Sequence, residues 1–175
     1  MKQDFYGSHD AGPEWGTPRW VVEPLLDALD GFDLDPASGA EPITYADETY
    51  TVDDNGLARD WFGDVWLNPP YGREHNESWA RKVIRERERE RCSTITALVP
   101  ASTDTNWFQQ YYSQADIFTF IDGRVSFHGA GDTAASFPSV ICSFGDFNDV
   151  YVRRLDEMGL VLARKDVSVG SVFDY

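Results

Sequence analysis

Apolar positions Val21, Val22, Leu25, Leu26 and Leu29 recur at the three- and four-residue spacing of one helix face, and the pattern stops before Gly31. Pro18 suits a first helical turn and Thr17 stands before it as an N-cap, so a helix is expected to start there. The pattern then shortens. Residues 32–36 (FDLDP) read as a strand running into the small-residue turn Ala37-Ser38-Gly39. A short strand is expected around Ile43-Thr44-Tyr45, followed by an acidic loop with Asp47, Glu48, Asp53 and Asp54. Val65, Trp66 and Leu67 end a buried strand, which Pro69 and Pro70 forbid from continuing.

The second half predicts a helix over residues 78–91. Arginines 81, 85 and 89 lie on one row of it and glutamates 86 and 90 on the next, a solvated face laced with ion pairs. Residues 94–100 (TITALVP) read as a buried, parallel-type strand. A helix is expected to begin at residues 104–108 and run to about 113, and strand material lies at 117–121, 125–127 and 139–144. Residues 150–158 predict a last helix and 160–163 a closing strand or tail. Alternation of this kind implies an α/β fold with a doubly wound, mostly parallel sheet. The G-x-G-x-x-G turn and the P-loop are both missing, which argues against dehydrogenase and NTPase functions.

Composition adds bounds. With 175 residues and 42% hydrophobic content, the chain is long enough for one packed core. The expected division is a loose N-terminal arm over 1–13 and a single domain over 14–175. No run of eighteen apolar residues and no apolar leader occur, so a cytoplasmic protein without a membrane span is expected. Cys92 and Cys142 are too few for a disulfide framework or a zinc site; two buried thiols in a reducing compartment are expected, and no metal.

Charge changes the picture more. The net charge is −15, with three lysines, twelve arginines and twenty aspartates against ten glutamates. Affinity for nucleic acid phosphates comes mostly from Lys and Arg, so such a balance argues against nucleic acid at ordinary salt. It suits a protein dissolved in concentrated salt, where the Debye length falls to roughly 3 Å at 1 M. The other reading is an acidic DNA mimic or partner-binding protein, against which the interleaved arginines weigh.

The chemistry gathers at residues 64–72, DVWLNPPYG. The strand halts with Asn68 at its carboxyl end, the edge at which open α/β sheets bind ligands. An exocyclic amino group on adenine or cytosine is a poor nucleophile, because its lone pair is delocalised into the ring. Two acceptors that take both N–H bonds free that lone pair. The Asn68 side-chain oxygen and the Pro69 carbonyl, stiffened by Pro70, suit that task by positioning and electrostatics alone. Tyr71 offers a flat face for a base. Asp35, at another strand's carboxyl end before small residues, suits an ammonium group, and Asp60 is a candidate acceptor for an adenine amino group.

Taken together, Trp15-Gly16-Thr17-Pro18, the run 32–38 (FDLDPAS), Asp60-Trp61, Asn68-Pro69-Pro70-Tyr71, Leu98-Val99-Pro100-Ala101 with Thr103-Asp104-Thr105 and Trp107-Phe108, and Gly123-Arg124 with Phe127 resemble the phage-type DNA N6-adenine methyltransferase (Dam-like) family. The resemblance covers about residues 14–145 in family order, and a halophilic archaeon or its virus is the expected source. It implies a Rossmann-like class I methyltransferase fold, S-adenosylmethionine as methyl donor and DNA as partner, with RNA adenine or a protein amide as alternative acceptors. By similarity, Asn68, Pro69, Pro70 and Tyr71 hold and activate the target amino group. Thr17 meets the donor's carboxylate, Asp35 with Pro36 its ammonium, and Asp60 its adenine. Phe127 closes over the target base, with Arg124 beside it. Sequence specificity is expected from loops (72–77 and 101–106, or 128–136), from a dimer, or to be slight.

Overall fold

The computed structural model describes residues 16–39, 45–72, 75–127 and 135–164; the expected N-terminal arm lies outside them. Among the described residues, four helices and seven strands follow one another: α1 (Arg19–Leu29), β1 (Phe32–Asp35), β2 (Ala46–Thr49), β3 (Gly63–Leu67), α2 (Asn76–Glu88), β4 (Cys92–Pro100), α3 (Asn106–Gln110) with a 3-10 turn over Tyr112–Gln114, β5 (Ile117–Ile121), β6 (Ser139–Gly145), α4 (Asp149–Asp156) and β7 (Gly159–Ala163). All seven strands form one sheet in the order β2-β1-β3-β4-β6-β5-β7.

The two middle strands are apolar on both faces because helices cover both. From β3, Val65 and Leu67 pack with Trp79, Ala80 and Val83 of α2 and with Phe108 of α3. Trp66 points the other way, among Val21, Val22 and Leu25 of α1 and Tyr151 and Leu155 of α4. On β4, Ile95, Ala97 and Val99 face the first layer and Leu98 the second. The polar exception is also satisfied: Thr96 Oγ1 lies 2.8 Å from the Tyr151 hydroxyl, which is 2.9 Å from Ser143 Oγ.

The sheet departs from the expected mostly parallel one. Parallel pairing joins β2, β1, β3 and β4, but β6 runs against both β4 and β5, and β7 runs against β5, so three pairings of six are parallel. A parallel neighbour needs a long crossover, usually a helix. No helix is described between β5 and β6, and the chain returns beside its own path as an antiparallel strand.

Local expectations shift too. Helix α1 opens at Arg19 with Pro18 as its N-cap, at φ −67° and ψ 143°. The proline therefore stays extended and Thr17 stands one residue outside the cap. Strand β2 lies at Ala46–Thr49; of the strand expected around residues 43–45, residues 43 and 44 fall outside the described residues. Asp47 and Glu48 are thus strand residues on an exposed edge, where charge discourages pairing with another chain. Val125 and Phe127 are buried but belong to no strand, and α2 starts two residues earlier and ends three earlier than expected. Cys142 is buried and Cys92 only partly. Among the described residues, no helix is long and apolar enough to cross a membrane.

Candidate active site

Strands β1 and β3 are parallel neighbours, with Leu34 opposite Val65. From β1 the chain leaves for β2 on one side, and from β3 for β4 on the other. That divergence opens a crevice outside the two carboxyl ends, the place where ligands bind in open α/β sheets. Asp35 closes β1, and Asn68 is the first residue past β3. Paired strands lie about 5 Å apart, so the topology itself sets these two side chains at one site. Helix α1 joins them. Only Asp30 and Gly31 connect it to β1, Asp30 with a left-handed φ of 62°. The helix therefore runs back beside the strand and returns Thr17 and Pro18 to the same edge.

Asp35 is 8% exposed. Its Oδ1 accepts the Ala37 N–H at 3.0 Å. Burial pushes its carboxyl from the ordinary 3.8 up to about 7, against the smaller opposing pull of the Ala37 amide. Such a group suits a cationic ligand, which would both pair with it and restore its charge. The turn around it is rigid. Tyr50 donates its N–H to the Asp35 carbonyl at 2.8 Å, and Ser38 donates to the Tyr50 carbonyl at 3.0 Å. Gly56 presses on buried Pro36 so closely that a Cβ there would lie 1.9 Å from the Pro36 oxygen. Thr17 is 3% exposed, and its carbonyl accepts the Tyr45 hydroxyl at 3.1 Å.

At the end of β3, Asn68 and Pro70 are half-buried and Pro69 is buried. The Tyr71 hydroxyl is 2.7 Å from Asn68 Oδ1 and 3.0 Å from the Leu98 carbonyl of β4. Burial holds that hydroxyl far above the usual tyrosine range, so it is a neutral donor. Tied inward in this way, the Tyr71 ring is 9% exposed and does not turn a flat face outward. It packs edge-to-face on Phe127 and Phe137, at centroid distances of 5.9 and 5.4 Å. Arg124 is exposed in the loop after β5, which also opens on this edge, past a left-handed Gly123 with φ 77°.

Asp60 is not brought to this group. Its carboxylate is exposed and engaged by Arg89 at 2.7 Å and by Arg91, residues that flank the start of β4 at the opposite edge. Residues 73–74 and 128–134 of the expected specificity loops lie outside the described residues. Two contributors escaped the sequence reading, Tyr50 and Gly56, which clamp the turn beneath Asp35. A helical stripe held a third signal: Trp79, Lys82, Val83 and Glu86 share one face, so two charges lie on the side that packs.

The family model described as DNA N-6-adenine-methyltransferase (Dam) matches residues 8–147 of the chain. A protein of Escherichia phage T1 named DNA N-6-adenine-methyltransferase is 33% identical over 121 residues. That alignment covers 63% of this chain and 48% of the phage protein, so the chain spans about half the length of the relative it matches.

Proposed function

Because the chain belongs to the DNA N-6-adenine-methyltransferase (Dam) family, we propose that it transfers a methyl group from S-adenosylmethionine to the N6 amino group of adenine in DNA. The observation that carries this reading is the meeting of Asp35 and Asn68 at the carboxyl ends of adjacent parallel strands. The helix-covered sheet is, in this reading, a Rossmann-like class I methyltransferase fold.

Asp35 takes the donor's ammonium, and the small-residue turn after Pro36 lets the donor approach the backbone. Its buried carboxylate, with the Ala37 amide as a hydrogen-bond donor, fits a cation of that kind. Thr17, just ahead of α1 and its Pro18 cap, meets the donor's carboxylate, where helix N-terminal amides favour an anion. Bound there, S-adenosylmethionine supplies an electrophilic methyl group. Asn68 Oδ1 and the Pro69 carbonyl accept the two N–H bonds of the target amine and so localise its lone pair on nitrogen. The Tyr71 hydroxyl, 2.7 Å from Asn68 Oδ1, holds that side chain in place beside the turn. No side chain has to be a strong base, because the amine becomes cationic as the N–CH3 bond forms and the S–CH3 bond breaks, and only then gives its proton to water.

In a duplex the adenine N6 is paired and stacked, so the base must leave the helix to reach Asn68. Phe127, buried and packed edge-to-face on Tyr71, backs the corner that receives it, and exposed Arg124 meets backbone phosphate, a contact that positions without reading sequence. The net charge of −15 supports a reaction in molar salt, where self-repulsion is screened. The test is incubation with labelled donor and DNA or RNA in molar KCl, followed by mass spectrometry of the nucleosides. N6-methyladenine in DNA is expected; label confined to RNA or to protein would overturn the reading.

A further inference from the structure

We propose that the buried Lys82–Glu86 pair on α2 is a positioning device that sets donor affinity from the far end of the sheet, by holding the 50–61 loop against the turn at Asp35 and Pro36. The inference rests on the reading that the donor binds at that turn.

Lys82 and Glu86 are 5% and 0% exposed, with Nζ 2.6 Å from Oε1. A buried ion pair is weak evidence for stability, because desolvation consumes most of the attraction. The partners of this one point to another task. Lys82 Nζ donates to the Arg59 carbonyl at 2.6 Å, and Glu86 Oε2 accepts the Trp61 N–H at 3.2 Å. The pair thus grips the backbone on both sides of Asp60. It also fixes the Trp61 side chain, since Nζ lies 5.5 Å from the ring centroid.

From that grip the contacts run toward the site. Trp61 is fully buried, and its indole N–H donates to the Gly56 carbonyl at 2.9 Å. Gly56 rests on the Pro36 carbonyl with no room for a Cβ. In parallel, the Tyr50 hydroxyl donates to the Asp60 carbonyl at 3.2 Å, while the Tyr50 N–H holds the Asp35 carbonyl at 2.8 Å. Both routes end on the two residues to which the donor's ammonium is assigned. Arg89 and Arg91 on the Asp60 carboxylate extend the same clamp to the surface. Asp60 is accordingly a loop anchor.

The decisive variant is Lys82→Met combined with Glu86→Leu. It removes both buried charges together, leaves Arg89 its Asp60 partner, and takes their partners from Arg59 C=O and Trp61 N–H. Donor affinity is expected to fall tenfold or more, with kcat at saturating donor within twofold of wild type. A folded double variant with unchanged donor affinity overturns the proposal. Asp35→Asn measured alongside separates this inference from the one beneath it. Affinity lost in Asp35→Asn but kept in the double variant sinks the clamp alone; affinity kept in Asp35→Asn sinks the donor site and the clamp with it. Should the double variant fail to fold, hydrogen exchange of the wild-type protein decides: S-adenosylhomocysteine is expected to slow the Trp61 and Gly56 amides, and unchanged exchange there overturns the coupling.

Discussion

The hydroxyl of Tyr71 lies 2.7 Å from Oδ1 of Asn68 and also reaches the carbonyl of Leu98, 3.0 Å away on the neighbouring strand. The hydroxyl therefore sits between the side chain after β3 and the backbone of β4, within hydrogen-bond distance of both. Tyr71→Phe keeps the ring and removes the hydroxyl. The Asn68 amide then loses that contact, and the methylation rate is expected to fall about tenfold, the equivalent of one net hydrogen bond of about 1.4 kcal/mol. Donor affinity stays as it was. Single-turnover kinetics at saturating donor check this, and a wild-type rate contradicts it.

Asp35 makes the protein's response to pH specific in sign. Its folded-state pKa is raised from 3.8 to about 7 by burial. Between those values the folded chain keeps a proton that the unfolded chain has lost. The stability contributed by this group is full below the lower value and is lost as pH rises through the upper one. A bound ammonium favours the ionised form, so donor binding tightens with rising pH across this window and releases a proton. Calorimetry in buffers of different ionisation enthalpy measures that proton. Asp35→Asn should abolish its release, and an unchanged release contradicts the assignment.

Gly56→Ala tests the turn beneath the carboxylate. The added methyl would sit 1.9 Å from the Pro36 carbonyl oxygen, so backbone must move on one side. A loss of about 1–3 kcal/mol in stability is expected, as for overpacking elsewhere, together with weaker donor binding. Denaturant unfolding and a donor titration check the two parts separately.

Salt tests the account of the acidity. With a net charge of −15, the folded chain repels itself in dilute buffer, and molar KCl screens that repulsion. The melting temperature is expected to climb steadily from low salt to 2 M KCl. A flat profile would leave the acidic surface without this explanation.

Much of the fold was legible because it rests on local periodicity. The helix stripe of α1, the strand halted by Pro69 and Pro70 and the capped start of α3 at Thr105, whose Oγ1 accepts the Phe108 N–H, are all nearest-neighbour physics. The antiparallel return of β6 was not, since pairing direction depends on what joins two strands and not on their residues. At the site, the sheet edge that holds Asp35 and Asn68 followed from two strand ends. The side-chain directions did not. Tyr71 reads as a surface aromatic until Leu98 is seen to accept its hydroxyl, and Asp60 reads as a ligand acceptor until Arg89 and Arg91 arrive from a helix end thirty residues on. Contacts between distant segments carry no periodic signature, and Glu86, expected on a solvated face, is fully buried beside Lys82.

The central claim is that Asn68 acts on the acceptor amine. Its most direct measurement compares N6-methyladenine formed in DNA by wild-type protein and by Asn68→Ala at saturating donor in molar KCl, with donor affinity measured on both. Removing one preorganised group of this kind costs about 10²–10³ in rate elsewhere, and a loss of that order is expected here with donor affinity within twofold. An Asn68→Ala protein that methylates DNA at the wild-type rate would contradict the account.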